Sequence, residues 1–342
     1  MLRGGNILKK SIFLTIFLFT FLFVPINALA DNTLGDFHFD AKESSHPLDR
    51  VNSKGEVTKY EDYSNKNLTF INETKSFQGS GELNPIFVGD LLNKGFLETT
   101  QPLVKDVTTN EVAPFVVIGP DGRTRVENTT VFPYSAITYI SLEWADGSRG
   151  SCTGTLIGID RVLTNGHCVV NPTTQRGIVS ATVYPGVSGS TALFGAYNAI
   201  DYYVTSHWIN TGAISQDYAV LVLSPSNGRH AGERAGYAGI RQVTNILNQN
   251  IGIYGYPGDL IRRDGAINQY GMRGNVVSED SQVAYYTIDT APGQSGSAML
   301  NTSNQVIGVH SSGFSDRNGN PVRNGGPKMS SFMFEFVSNA LN

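Results

Sequence analysis

The sequence predicts an all-β protein, a sandwich or barrel with length enough for two small barrels sharing one cleft, followed by a single C-terminal helix. Three observations carry this expectation. From about Val116 onward, apolar runs of four to eight residues recur, bounded by Gly, Asn, Pro and Ser. The runs are rich in Val, Ile, Tyr and Thr, which suit a pleated, half-buried surface. The stretch 116–342 is long enough for two small barrels.

The runs follow in order: "AITYISLEW", "CTGTLIG", "RVLT", "SATVYPG", "YAVLVLS", "NIGIYGY", "VAYYTID", "SAML" and "QVIGVH". Each reads as one strand. Only the end, "SSFMFEFVSNALN", has a helical pattern. Phe332, Phe336 and Val337 lie at helical spacing there, which predicts one face packed on the body. No internal repeat is evident.

The first thirty residues stand apart from this domain. Arg3, Lys9 and Lys10 precede the apolar run "SIFLTIFLFTFLFV", and "ALA" ends at Ala30. A basic start, a short apolar core and a small-residue cleavage site make a secretory signal peptide, residues 1–30. A membrane anchor fits less well, because the run is short for a bilayer span. The mature chain is therefore expected to be secreted, with no membrane association.

Residues 31–115 are polar, with weak periodicity of either kind. The apolar piece "PIFVGDLLNKGFL" reads as one helix or a docking segment. A disordered linker is the plain alternative. In an exported chain, such a segment before a dense globular region reads as a propeptide.

Charge sets limits on partners. The leader carries +3; residues 31–115 hold eight Lys/Arg against fourteen Asp/Glu, or −6; residues 116–342 hold fourteen against fifteen, or −1. No basic patch argues for nucleic acid. The sequence shows no metal-ligand pattern and no Ca²⁺ loop of the EF-hand kind, so neither cofactor nor metal is expected. The two cysteines, Cys152 and Cys168, form an even pair in an oxidising compartment, which favours one disulfide over two buried thiols.

Three polar residues sit where chemistry is plausible. His167 in "VLTNGHCVV" follows a strand-like run and adjoins Cys168, so a bridge would anchor it. Asp217 in "SQDYAVLVL" stands at the mouth of an apolar strand, and Ser295 lies in "APGQSGSAML". Alone, each has a bland reading: a structural histidine, a turn cap, a polar loop. Together they hold the residue types of a nucleophile, its base and the base's orienter, in the chain order His-Asp-Ser. The lipase-type elbow Gly-x-Ser-x-Gly fails, because Ser297 stands where its second glycine belongs. Gly293 and Gly296 leave the backbone room to turn, so the N–H groups of Gly293 and Ser295 are candidates for an oxyanion hole.

The stretches "SCTGTLIGIDRVLTNGHCV", "QDYAV", "GYPGD", "YYTIDT", "GQSGSAM" and "VIGVH" resemble those of the glutamyl endopeptidases of Gram-positive bacteria. The resemblance covers essentially all of residues 116–342. It implies a chymotrypsin-like fold of two six-stranded antiparallel barrels, and a secreted serine protease cutting after glutamate and, more weakly, aspartate. It further implies a glutamate pocket made by Thr290, His310 and the free amine of the mature N-terminus, and a monomer. The mature chain of the family begins near "VIG", which places the cut between Phe115 and Val116, within one residue. A Glu-specific enzyme would not cut after Phe115, so a different secreted protease is the expected activator. Ser311 and Gly313, just past His310, are expected to pair with substrate backbone as an added strand.

Two residues point elsewhere. Asp289 lies six before Ser295, where trypsin-like enzymes carry the aspartate that binds Lys or Arg. Pro292 stands where the family often has a small residue, and proline fixes φ and lacks an N–H. An occluded or non-catalytic homologue acting by binding is the competing reading of that departure.

Overall fold

The computed structural model describes Met1 and residues 34–35, 37–64, 72–93, 112–113 and 116–341. The chain divides into two compact units, Met1–Asp31 and Asn32–Asn342. Met1 apart, the first unit lies outside the described residues, and with it the expected signal peptide. So do Glu111 and Phe115. Among the described residues, no helix is long and apolar enough to cross a membrane.

Six strands build the first barrel: β1 Ile137–Trp144, β2 Arg149–Leu156, β3 Arg161–Thr164, β4 Arg176–Pro185, β5 Tyr197–Thr205 and β6 Ala219–Leu223. They pair in the order β5-β6-β3-β2-β1-β4, and β4 pairs back onto β5, which closes the ring. Every pairing is antiparallel. Ile140, Leu142, Leu156, Val183, Val204 and Leu221 are buried in its core. Closure removes the exposed sheet edge that an open sheet would have.

The second sheet comprises β7 Asn250–Gly255, β8 Tyr270–Glu279, β9 Val283–Tyr286, β10 Ala298–Leu300, β11 Val306–Val309, β12 Ser312–Ser315 and β13 Pro321–Pro327. Its order is β11-β10-β7-β8-β9-β13-β12. Among the described residues no strand ladder joins its two ends. A single bridge, Gly308 to Lys328, draws β11 toward the chain beyond β13. The expected two-barrel architecture therefore holds with one refinement: the first barrel is closed and the second is a half-barrel. The strand path breaks between β11 and β12 at His310 and Ser311.

Short helices punctuate the sheets: α1 Ser206–Thr211, α2 Ala231–Ala235, α3 Gly258–Asp264 and the terminal α4 Ser331–Asn339. The sequence pattern revealed only the last. The packed face of α4 also differs from expectation. Phe336 and Val337 are fully buried, but Phe332 is 47% exposed; Met333 and Phe334 take the inward positions instead. Ser330 caps the helix, its hydroxyl accepting from Met333 N, and this sets the turn that leaves Phe332 outside.

Residues 34–93 do not form a separate layer of their own. Arg50–Asn52 pairs antiparallel with Tyr203–Thr205 of β5, and Val57–Thr58 pairs with it in turn. Ile86–Phe87 pairs with Thr191–Ala192, and Glu73 and Phe77 bridge to Arg241 and Tyr237. Leu34, Leu48, Val51, Tyr63 and Val88 are buried. The stretch "PIFVGDLLNKGFL" thus begins as a docked strand, followed by a turn of helix over Asp90–Asn93. Its remainder lies outside the described residues.

Candidate active site

His167 sits in a one-turn 3-10 helix, Gly166–Cys168, directly after β3. Two covalent and steric facts hold it. Cys168 is bonded to Cys152 of β2. Gly166 lies flat on Trp208, where a Cβ would come within 2.9 Å of the indole. Asp217 follows the 3-10 turn Ile214–Gln216 and is wholly buried. Its Oδ1 accepts the His167 backbone N–H at 2.8 Å, and its Oδ2 lies 2.7 Å from His167 Nδ1. The Ser311 hydroxyl donates to the same Oδ2 at 2.5 Å. A buried carboxylate is costly unless its lone pairs are met. Here a backbone amide, an imidazole and a hydroxyl meet them, and the carboxylate fixes which ring nitrogen carries the proton.

Ser295 is buried, and its Oγ has no hydrogen-bond partner among the described residues. Its loop is held by the backbone. Thr153 N donates to Ser295 O at 2.8 Å, and the Thr153 hydroxyl donates to Gly293 O at 2.8 Å while accepting from Tyr256 N at 3.0 Å. Gly293 has φ +98° and Gly296 φ +86°. A Cβ on Gly293 would come within 2.6 Å of Tyr256 O, so neither the conformation nor the space admits a side chain.

Pro292 is tied to the start of α3. Its carbonyl accepts from Gly258 N at 2.7 Å. In a trans peptide the C=O and the next N–H point in opposite directions. The Gly293 N–H therefore points away from Gly258, and neither it nor the Ser295 N–H has an acceptor among the described residues. The contact that holds this turn uses the carbonyl of Pro292, not the N–H that proline lacks.

Two buried polar side chains, Thr290 and His310, flank this loop in the sequence. Thr290 is wholly buried, and its Oγ1 has no partner among the described residues. His310 is also wholly buried, and its Nδ1 lies 2.7 Å from the Tyr286 hydroxyl. Burial pushes the His310 pKa down to about 3, with nearby His167 contributing, so the ring is neutral at ordinary pH. Burial also holds the Tyr286 hydroxyl in its protonated form, far above its usual range.

Asp289 bonds to the segment that follows Val116. Its Oδ1 accepts from Ile118 N at 2.7 Å and its Oδ2 from Gly122 N at 2.8 Å. Both carboxylate oxygens are engaged by the backbone of the segment that follows Val116. Arg123, itself buried, continues that latch by pairing with Asp121 and Asp259, the latter next to Gly258. Val116 is held by one side chain. Asn324 Nδ2 donates to Val116 O at 2.8 Å and to Ile288 O at 2.8 Å, and Asn324 Oδ1 lies 3.4 Å from Val116 N. Thr290 N reaches the same Val116 carbonyl at 3.4 Å. The structure thus brings Val116 to Thr290.

Strand β12 carries Gly313. One side of β12 pairs with β13, Gly313 opposite Asn324. On the other side lies Val112–Ala113, with Ala113 opposite Gly313 and Val112 opposite Phe314. Ser311 N donates to Gly325 O.

The sequence-selected residues His167, Asp217, Ser311, Thr290, His310, Gly293, Ser295 and Val116 therefore gather in one region. Thr153, Tyr286 and Asn324 were missed. Thr153 had a visible signal in standing next to Cys152 in "SCTG". Asn324, in "PVRNGGP", had none.

The trypsin family pattern matches residues 123–326. A glutamyl endopeptidase of Bacillus licheniformis is 31% identical over 281 residues, 79% of each chain. An extracellular metalloprotease of Bacillus subtilis is 28% identical over 308 residues, 87% of this chain and 90% of that one. The latter name speaks of a metal. Among the described residues, one group of His, Cys, Asp or Glu donors is close enough to share an ion, Cys152, His167 and Cys168. Its two sulfurs are bonded to each other, so this donor set does not fit a metal. A solved Glu endopeptidase structure in complex with MPD shares 47% identity and a TM-score of 0.60, covering 66% of this chain and 99% of its own. The chain belongs to the trypsin family of serine endopeptidases and, within it, to the glutamyl endopeptidases.

Proposed function

We propose that the protein is a secreted serine endopeptidase that hydrolyses peptide bonds after glutamate, more weakly after aspartate, and is made as a zymogen. The supporting observation is the contrast between Asp289 and Thr290. Asp289, the one carboxylate placed to attract Lys or Arg, is spent on Ile118 and Gly122, while the buried Thr290 hydroxyl is left without a partner. An orphaned buried donor is costly until a ligand meets it. A glutamate side chain from the substrate supplies the missing acceptor. If Tyr286 donates to Nδ1 of His310, the ring's proton lies on Nε2, a second donor. The amine freed at Val116 is the third and carries the compensating charge.

This reading assigns the following chemistry. Ser295 Oγ attacks the carbonyl carbon after the glutamate, and His167 Nε2 takes its proton. Asp217, steadied by Ser311, stabilises the imidazolium. The N–H groups of Gly293 and Ser295 receive the oxyanion, each worth about 3–4 kcal/mol by analogy with such donors. His167 then protonates the departing amine, and water resolves the acyl-enzyme by the same route. Substrate backbone would lie along β12 at Ser311 and Gly313.

Two features support the zymogen reading. In the uncut chain Val112–Ala113 lies along β12, the strand substrate would use, and Val116 has no free amine. The solved relative covers 66% of this chain at almost its own full length, which is the share of residues 116–342. A peptide panel varied at the residue before the cut tests the reading: faster cleavage after Lys or Arg than after Glu would overturn it.

A further inference from the structure

Asn165 joins the end of β3 to the 3-10 turn Gly166–Cys168 that carries His167, and it is wholly buried. It stands at the N-cap of that turn, where an Asn side chain ordinarily accepts from a backbone N–H of the turn. Here it does not: the turn has no side-chain cap bond. The amide instead reaches a residue 52 positions away, its Nδ2 donating to the main-chain carbonyl of Asp217 at 2.7 Å. A carbonyl oxygen repels another oxygen at that distance, so the nitrogen is the atom that faces it. Oδ1 is then left buried with no partner among the described residues. The chain thus gives up a local cap and leaves an acceptor unmet, each at a cost in stability, to make this one bond. A local rule broken beside the proposed base points to a functional demand.

We propose that Asn165 is a positioning residue for the protease: it fixes the main chain of Asp217, and through it the carboxylate that orients His167. This role rests on His167 acting as the base, as proposed above. Asp217 is the central residue of an inverse γ-turn, with φ −78° and ψ 65° and Tyr218 N donating to Gln216 O at 2.8 Å. That turn uses the carbonyl of Gln216, not that of Asp217. The Asp217 carbonyl is held by Asn165 Nδ2, its Oδ1 accepts from His167 N at 2.8 Å, and its Oδ2 lies 2.7 Å from His167 Nδ1. Every oxygen of Asp217 is therefore met from one stretch, residues 165–167, with Ser311 sharing Oδ2. The carboxylate contacts fix the side chain relative to His167. The Asn165 contact fixes the main chain that bears it. Without that bond the turn is free to shift, and the imidazole moves with the carboxylate. A misplacement of about 1 Å costs up to about a hundredfold in rate.

The plain alternative is that Asn165 only stabilises its own turn. Side-chain chemistry separates the two roles. Ser and Asp cap helical turns about as well as Asn. Neither replaces the bond to Asp217: the Ser side chain is one atom too short, and the Asp carboxylate has no N–H to give. Asn165 is not placed on substrate, so its loss should fall on kcat rather than on KM.

The test compares mature Asn165→Ser and Asn165→Asp enzymes with wild type on one peptide substrate, each alone and combined with Asp217→Asn. Thermal midpoints and the His167→Ala enzyme are measured alongside. The expected result is a fall in kcat of about ten- to a hundredfold in both single variants, with KM within about twofold of wild type. In the Asp217→Asn background the same substitutions should cost less than about threefold, because the carboxylate they position is already gone. If either folded variant keeps kcat within about threefold, or if the losses multiply in full with that of Asp217→Asn, Asn165 does not act through Asp217 and the inference fails while the triad stands. If neither variant folds, its role is structural and the inference fails equally. If His167→Ala keeps wild-type activity, the reading of His167 as the base fails instead.

Discussion

The Tyr286 hydroxyl lies 2.7 Å from Nδ1 of His310, with both rings buried in the second sheet. With Tyr286 as donor, that bond orients the imidazole and leaves its proton on Nε2. Tyr286→Phe should therefore lower kcat/KM for glutamate substrates by about tenfold, the worth of one hydrogen bond to a group serving a charge, and reduce preference for Glu over Gln. Cleavage of matched Glu and Gln peptides reads this out; an unchanged ratio would argue against the role of Tyr286.

His310 also makes stability depend on pH. Its pKa falls from 6.5 in the open chain to about 3 in the fold because burial disfavours the charged ring. Between those values the unfolded chain binds the extra proton, so stability rises with pH there. This contribution is complete above about pH 6.5 and is lost as pH falls toward 3. Denaturant titrations at several pH values should show a shallower acid loss for His310→Gln than for wild type.

Asp217 and Ser311 act through His167. Asp217→Asn should cost about 10⁴-fold in kcat, since the amide favours the wrong imidazole tautomer. Ser311→Ala should cost about ten- to a hundredfold, because a hydrogen bond to a buried carboxylate is lost while His167 keeps its partner. A fluorophosphonate label should still reach Ser295 in Ser311→Ala, but slowly.

Asp289→Asn discriminates the two pocket readings. If Asp289 selected Lys or Arg, its loss would remove cleavage at those residues. The bonds to Ile118 and Gly122 predict otherwise. Cleavage after Glu should weaken through a loosened N-terminal segment, with no change in the negligible rate after Lys or Arg.

The disulfide is expected to matter for rigidity as well as stability. It closes a loop of about 15 residues, worth roughly 3 kcal/mol in the chain-entropy model. Cys152→Ser with Cys168→Ser should lower the thermal midpoint. It should also lower kcat, since Cys168 adjoins the base and Cys152 adjoins Thr153.

The sequence made the strands legible where side-chain chemistry was local. "RVLT" became β3 without change, and "YAVLVLS" and "VAYYTID" contain β6 and β9. β13 was invisible because "PVRNGGP" reads as turn residues; its extension comes from pairing with β9 and β12, which no local pattern reports. The docked strands Arg50–Asn52 and Val57–Thr58 were missed for the same reason, being two or three residues long and formed against the barrel, whereas "PIFVGDLLNKGFL" was legible as a helix or a docking segment. Phe332 shows the limit of periodicity: spacing put it on a helix face, but the cap at Ser330 decided which face. In the site, residue types pointed to His167, Asp217 and Ser295, and the family resemblance to Thr290 and His310; Thr153, Tyr286 and Asn324, which bond near them, act through partners distant in sequence.

The central claim is that Thr290, His310 and the Val116 amine together select glutamate. The most direct measurement is a cleavage profile resolved at the residue before the cut, made on mature protein whose N-terminus has been sequenced. The account predicts a start at or within one residue of Val116, fastest cleavage after Glu, slower after Asp, and near loss of both in the uncut form. Faster cleavage after Lys or Arg, or full activity with additional residues ahead of Val116, would contradict it.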